Sequence, residues 1–238
     1  MTALLAIALR EYASNFRTSL GWIVIALYLL LSGFWVAFAT INPGEPASLR
    51  VFFSISQWLL LIVAPAISMR LVSEELRTGT IEPLMAAPIS EWQAIPAKYL
   101  GALAFFITML APTLLYVGVL ELVADPDYGP LLAGYAGLIL VGMLYLAVGL
   151  VISTFTQSQV VALLATFFFF IALHILGTQI ADRASPRIGA ALRYASLAPR
   201  IGDFAKGVIE LRHVVFFVAW SCFAIAVGVI SLESRRWR

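Results

Sequence analysis

The sequence has few charged side chains. Asp, Glu, Lys and Arg make up 12% of its 238 residues, against about 25% in a typical soluble domain. Apolar residues make up 62%, and the mean hydropathy is +0.97. This balance argues against a soluble domain and favours an integral membrane protein. The net charge of +2 and the absence of a basic run before the C-terminus argue against nucleic-acid binding.

Cysteine and histidine are also scarce, which limits the chemistry that the chain can perform. Cys222 is the only cysteine, so no intrachain disulfide can form, and two histidines do not make a metal cluster. The sequence contains no Gly-x-x-x-x-Gly-Lys-Ser/Thr loop for nucleotide phosphates, no His-Glu-x-x-His and no Gly-x-Ser-x-Gly. We therefore expect no catalytic residue, no metal site and no cofactor bound by this chain.

Long apolar runs are what the sequence has in abundance. Six of them, at about 19–41, 51–69, 99–122, 131–155, 160–180 and 214–232, can each cross roughly 30 Å of hydrocarbon as a helix. Backbone polar groups in lipid must be satisfied within the segment, so helices are expected. The prediction is an all-α membrane protein with six transmembrane helices that forms one transmembrane domain over residues 1–238.

The N-terminal segment before the first apolar run predicts an interfacial helix. Leu5, Leu9, Tyr12 and Phe16 share one face of a helix over residues 4–17, whereas Arg10, Glu11, Ser14 and Arg17 lie elsewhere. Such a helix can lie flat at the membrane surface. A frayed lead-in to the first span is the alternative.

Residues 70–98, between the second and third spans, differ from the rest of the chain. They are rich in charge and in helix start and stop signals: Thr78-Gly79 ends one helix, Thr80 can cap a short helix from Ile81 that Pro88 ends, and Ser90 can cap the next. This density favours a docking element for a partner over a solvated loop.

Several motifs in this segment and after it resemble a known family. They are Arg70-x-x-x-Glu74-Glu75-x-Arg77-x-Gly79-Thr80-Ile81-Glu82-x-Leu84, Ala87-Pro88-Ile89-Ser90, Lys98-Tyr99-Leu100-Gly101 and, near the end, Leu232-Glu-x-Arg-Arg-Trp237. With these motifs the chain resembles the permease subunit of type-2 ABC exporters. The closest resemblance is to the compact subgroup associated with gliding motility and with copper maturation of nitrous-oxide reductase.

The resemblance implies partners and a site. The segment between the second and third spans would be a coupling helix seated on a separate ATPase subunit, which would carry the ATP and Mg. Two ATPases and two permeases, identical or different, would assemble in membrane lipid, with envelope accessory proteins as further candidate partners. The ATPase-coupling residues would be Glu74, Glu75, Arg77, Thr78, Gly79, Thr80, Ile81, Glu82 and Leu84.

The membrane orientation also follows from the resemblance, since the charges alone do not decide it. Six spans place both termini on one side, and the basic residues divide eight to seven between the two sides. The resemblance places both termini in the cytoplasm of a bacterial inner membrane. Residues 181–213 would then be extracytoplasmic and would include short helices before the last span.

The transport pathway is the least determined part. By family analogy, the second and fifth spans would line a cavity at the dimer axis, with Phe167–Phe170 as a hydrophobic constriction or simply as lipid-facing bulk. His174 is either a proton or substrate contact or an interhelical hydrogen-bonding group.

Three functions stay open at this point. The leading one is ATP-driven export by alternating access, with an amphiphilic substrate favoured. The others are a membrane anchor that transmits mechanical work without moving a substrate, and an enzyme or channel that acts alone.

Overall fold

The computed structural model describes residues 3–39, 48–80, 90–123, 126–183 and 185–236, and all regular structure in these ranges is helical. The first half contains α1 (Ala3–Arg17), α2 (Ser19–Ala39), α3 (Arg50–Ser68), α4 (Ser73–Thr78), α5 (Glu91–Leu110), a 3₁₀ turn (Ala111–Thr113) and α6 (Leu114–Val123). The second half contains α7 (Tyr128–Phe155), α8 (Gln159–Ile175), a π-helical turn (Leu176–Ile180), α9 (Pro186–Ala195), α10 (Ala198–Ala205) and α11 (Leu211–Arg236).

Within the described residues, six helical units are long and apolar enough to cross a membrane, which confirms the predicted fold class. They are α2, α3 continued into α4, α5 continued into α6, α7, α8 with its π turn, and α11. Pro112 lies in the 3₁₀ turn that separates α5 from α6. A proline has no backbone N–H to donate, so the change of helical type at this point has a local cause.

Helix α7 is the centre of the bundle. It packs against α3, α5, α8, α10 and α11. A Cβ atom at Gly134 would lie 2.3 Å from the Phe53 ring of α3, and one at Gly142 would lie 2.2 Å from the Phe106 ring of α5. These two glycines therefore allow the neighbouring helices to approach α7 closely, as small residues do in membrane bundles.

The periphery of the bundle is apolar and exposed. Only 28% of the membrane-crossing window of α2 is buried, against 61% for α7. Trp22, Leu30, Phe34 and Phe38 of α2 point outward. This surface is suited to lipid or to another membrane helix, because hydrocarbon is as apolar as these side chains.

The far-side segment, on the side opposite the termini, consists of α9 and α10 before α11 crosses back. Helix α10 packs against α7 and α3 and so closes the far end of the bundle. Gly137 lets α10 approach α7, because a Cβ there would lie 2.7 Å from the Phe204 side chain. The extracytoplasmic position of α9 and α10, which the resemblance implies, stays a prediction.

Candidate coupling site

A short turn separates α3 from α4 on the side of the termini. Ser68 ends α3, and the Met69 N–H donates to the Pro65 carbonyl at 2.8 Å. Helix α4 follows as six residues and ends at Gly79, which has a φ of 73°. A left-handed residue after a helix favours glycine, and it stops the helix there.

Helix α1 lies directly on α5. Gly101 of α5 makes this possible, since a Cβ there would lie 2.6 Å from the Ala8 carbonyl oxygen and 2.7 Å from the Glu11 Cβ. The buried residues of α1 are Ile7, Glu11 and Asn15, each one helical turn from the next. The face of α1 that packs on the protein is therefore partly polar.

The apolar residues of α1 would be expected to face the bundle and its charged residues to face away, but the structure shows a different arrangement. Leu5 and Leu9, on the apolar face, are half exposed and point away from the bundle core. Glu11, which the sequence placed off that face, is buried. Outward leucines are suited to an interfacial helix, although a position at the membrane surface stays a prediction.

Lys98 of α5 is the centre of the site. Its side chain is 2% exposed, and its Nζ donates to Glu75 Oε1 at 2.6 Å and to the Leu71 carbonyl at 2.9 Å. Glu11 Oε2 lies 3.6 Å from the same Nζ. Arg10 Nη2 reaches Glu75 Oε1 at 3.4 Å from the exposed side. Glu75 of α4 is thus connected by ion pairs to both α5 and α1.

Arg70 makes a second set of connections beside the first. Its Nη1 donates to Thr18 Oγ1 at 2.7 Å, and its Nη2 donates to Asn15 Oδ1 at 2.9 Å. The Asn15 amide in turn donates to the Glu11 carbonyl at 3.0 Å. These bonds attach the end of α3 to α1. We call Glu11, Asn15, Arg70, Glu75 and Lys98 the termini-side cluster.

The cluster holds charges that are largely withdrawn from water, so each charge needs a partner. A buried ammonium is costly unless it is paired and hydrogen-bonded. Lys98 has two carboxylates and a carbonyl within 3.6 Å, which offsets that cost. Glu75 Oε2, by contrast, is buried and receives no hydrogen bond from any described residue. Removing Lys98 would leave the Glu75 carboxylate without its buried cation and so add the cost of an uncompensated buried charge.

The predicted coupling residues divide into three groups. Glu75 belongs to the termini-side cluster. Glu74, Arg77, Thr78, Gly79 and Thr80 are exposed on and just after α4. The Thr78 and Thr80 hydroxyls are 2.9 Å apart, and Thr78 also donates to the Glu74 carbonyl. Ile81, Glu82 and Leu84, and with them the predicted short helix, lie outside the described residues.

Helix α5 begins after Ser90, as predicted, but without the capping side-chain bond. Ser90 has an extended backbone, and its carbonyl accepts from the Gln93 and Ala94 N–H groups. Its hydroxyl makes no cap hydrogen bond. The serine therefore marks the start of the helix through its backbone conformation.

Sequence reasoning missed two members of the termini-side cluster, Glu11 and Asn15. The available signal was the spacing: Ile7, Glu11 and Asn15 follow one another at intervals of four residues, which places all three on one face of α1. Arg70 and Lys98 were part of the quoted motifs but were not assigned as site residues. Their positions at the ends of apolar runs were the signal for a buried role.

The candidate pathway residues Phe167, Phe170 and His174 recur at spacings of three and four along α8 and therefore lie on one side of it, and their role in a pathway stays a prediction. Phe170 is buried, and its ring lies 4.0 Å from that of Tyr145 in α7. Phe167 is partly buried. His174 is also partly buried, and its ring packs edge-on against Trp58 of α3 at 4.8 Å. The histidine thus contacts the second span through an aromatic ring.

A second charged group, the far-side cluster, consists of Arg200, Asp203, Glu210, Arg212 and His213. Arg200 donates to the Ser196 and Tyr194 carbonyls and lies 3.8 Å from the centre of the Phe216 ring. Burial lowers the pKa of its guanidinium. The buried His213 lies between Asp203 Oδ2, 3.9 Å from Nδ1, and Glu210 Oε2, 3.7 Å from Nε2. Arg212 pairs with Glu210 at the surface.

The helical bundle and its polar helix ends define a multi-pass membrane protein. The family profile described as ABC-2 family transporter protein matches residues 37–191, well over half of the chain. The chain therefore belongs to the ABC-2 transporter family, as a membrane permease component that is not itself an ATPase. Membership implies pairing with an ABC ATPase subunit. Among curated proteins, none matches the chain.

Proposed function

We propose that this permease exports a substrate by using ATP hydrolysis in the partner ATPase, and that α4 transmits the ATPase motion to the membrane helices. The observation that carries the proposal is the ion pair between Glu75 of α4 and the buried Lys98 of α5. This pair attaches the stem of the predicted coupling segment to the transmembrane bundle.

The physical argument rests on the size of α4. A helix of six residues has little stability of its own, because nucleation of a helix is unfavourable. A short element that is bound firmly to larger helices moves with them. Glu75 binds α4 to α5 through Lys98 and to α1 through Arg10. A displacement applied to α4 would therefore reach both helices.

The remaining parts of the proposal come from the family. Two permeases and two ATPases would assemble in a bacterial inner membrane, with both termini in the cytoplasm and with ATP and Mg on the ATPase. Residues 78–84 would contact the ATPase directly. The assignment to the gliding-motility and copper-maturation subgroup, and the choice between identical and different permease copies, belong to the same proposal.

The test is a charge reversal with its compensating swap. The permease is produced together with the ABC ATPase of its own genome that co-purifies with it, and ATPase activity and substrate export are measured in vesicles. Glu75→Lys should keep the complex in the membrane but uncouple ATP hydrolysis from export. The double variant Glu75→Lys with Lys98→Glu restores an ion pair and should recover part of the coupling. Glu233→Lys, an exposed reversal near the C-terminus, is the matched control.

Two results would count against the proposal. Wild-type coupling in Glu75→Lys would remove α4 from the transmission path. A complex whose permease controls ATP hydrolysis, yet which moves no member of a broad substrate panel, would instead favour the membrane-anchor function.

A further inference from the structure

A cavity of about 670 Å³ opens beside the termini-side cluster, between α1, the end of α3, α4 and the start of α5. This volume is within the range of small-molecule sites. Its described lining includes four cations, Arg10, Arg17, Arg70 and Lys98, and three carboxylates, Glu11, Glu74 and Glu75. One net positive charge is therefore left over.

The excess positive charge can be located. Lys98 and Arg10 are paired with Glu75, and Lys98 also faces Glu11. Arg70 is 7% exposed and bonds only to the neutral Thr18 and Asn15 side chains. Arg17 is exposed at the junction of α1 and α2, and among the described residues no carboxylate pairs with it or with Arg70. A buried guanidinium without an anion is costly, so Arg70 in particular favours an anionic ligand.

The cavity lies where the chain passes from polar surroundings into the apolar spans. Arg17 comes directly before α2, Arg70 follows α3, and Lys98 precedes the apolar part of α5. Two exposed tryptophans, Trp22 near the start of α2 and Trp92 near the start of α5, are side chains of the type that prefers the membrane interface. Lipid phosphates occupy this level of a bilayer.

We propose that the cavity binds a phosphate group, supplied by the headgroup of a phospholipid in the adjacent leaflet, with Arg17 and Arg70 as the binding residues. A guanidinium presents two parallel N–H donors that match two phosphate oxygens. The site is a property of the permease alone and does not rest on the proposed ATPase coupling.

The charge of the lining favours a phosphodiester over free phosphate. A phospholipid diester carries one negative charge, which equals the one net positive charge of the described lining. A phosphate monoester or inorganic phosphate carries about 1.5 to 2 negative charges near neutral pH. The additional charge would be repelled by Glu74 and Glu75 on the α4 side of the cavity.

The experiment is native mass spectrometry of the full-length permease in detergent, titrated with phosphatidylglycerol, with diacylglycerol of the same chains, and with inorganic phosphate. Wild-type protein should retain phosphatidylglycerol but not diacylglycerol. Arg17→Gln and Arg70→Gln should each weaken phosphatidylglycerol binding about tenfold, the usual scale for loss of one charge-assisted bond. Arg17 is exposed and makes no hydrogen bond within the described residues, so its variant should fold normally.

Arg50→Gln is the matched control, because it removes one exposed arginine at the far-side end of α3. Arginine-dependent binding of phosphatidylglycerol supports the lipid source. Arginine-dependent binding of inorganic phosphate without lipid retention supports the phosphate site and assigns it to the free anion. The proposal is overturned if neither ligand binds, if both arginine variants bind lipid as wild type does, or if Arg50→Gln weakens binding equally.

Discussion

The two charged clusters at opposite ends of the bundle are built differently. In the termini-side cluster, most of the bonds join separate helices: Lys98 joins α5 to α4, and Arg70 joins the end of α3 to α1. In the far-side cluster, Arg200 bonds to carbonyls four and six residues earlier, and Arg212 pairs with Glu210 two residues away. One cluster holds distant elements together, and the other stabilises one continuous stretch.

This difference indicates how each end responds to force. A cluster of local contacts can move as a unit without losing any of them, because its members travel together. A cluster of long-range contacts must either carry a displacement from helix to helix or break. The termini-side cluster is therefore the better candidate for transmission, and the far-side cluster is suited to keeping α10 and the start of α11 in one shape.

The largest expected effect comes from removing the centre of the termini-side cluster. Lys98→Met keeps much of the side-chain volume but leaves Glu75 and Glu11 without their buried cation. Loss of one partner of a buried ion pair costs about 3 kcal/mol or more. We expect a clearly lower midpoint of thermal unfolding in detergent. The measurement monitors unfolding by tryptophan fluorescence.

Arg212→Met, in the far-side cluster, is the control for the destabilisation expected of Lys98→Met. Its side chain is 75% exposed, and exposed pairs contribute at most about 1 kcal/mol. A Lys98→Met midpoint no lower than that of Arg212→Met would contradict the distinction between the two clusters.

The second effect comes from the contact between α1 and α5. Gly101→Ala places a Cβ 2.6 Å from the Ala8 carbonyl oxygen, which belongs to the backbone and cannot rotate away. Overpacking of this kind costs about 1–3 kcal/mol, and moving α1 outward would also lengthen the contact between Lys98 and Glu11. The measurement is the same thermal unfolding midpoint.

Gly118→Ala in α6 is the matched control, because a Cβ there meets nothing within 4 Å. It should be neutral or stabilising by about 0.5–1 kcal/mol, since alanine is the better helix former. Equal destabilisation by both substitutions would mean that the close contact between α1 and Gly101 does not explain the effect.

The smallest effect is expected in the far-side cluster. Arg200→Met keeps an apolar chain near the Phe216 ring but removes the donors to two carbonyls. Local carbonyls can find other donors or water, so we expect a loss of about 1 kcal/mol. Lys206→Met, an exposed cation just after α10, should change the midpoint little. A loss as large as that of Lys98→Met would show that contacts between neighbouring parts of the chain matter as much to stability as contacts between distant helices.

Composition predicted the six crossings because the cost of exposing backbone and polar side chains to lipid leaves few alternatives. The start of α5 at Glu91 and the stop at Gly79 also followed from local signals, since caps and left-handed glycines act over three or four residues. These features depend on contacts that are short in sequence, so one chain without relatives is sufficient to find them.

The termini-side cluster could not be predicted in the same way. When α1 is considered alone, Glu11 is on its polar side. The residue becomes buried beside Lys98 only because α1 packs closely on α5 at Gly101. The pairing of Asn15 with Arg70 depends likewise on how two separate helices meet. The contact between Phe170 and α7 could not be predicted for the same reason. It depends on how α8 is rotated about its own axis relative to α7.

The central position of α7 has a consequence for biogenesis. Helix α3 leaves the ribosome well before α7, its main partner. Ser68 of α3 packs against Gly149 of α7, which is about 80 residues later in the chain. At about 5–20 residues per second, this delay is roughly 4–16 s. During that interval the Ser68 hydroxyl and the Phe53 ring face lipid or the insertion machinery. Chain synthesis therefore passes through a stage at which half of the bundle waits for its central helix.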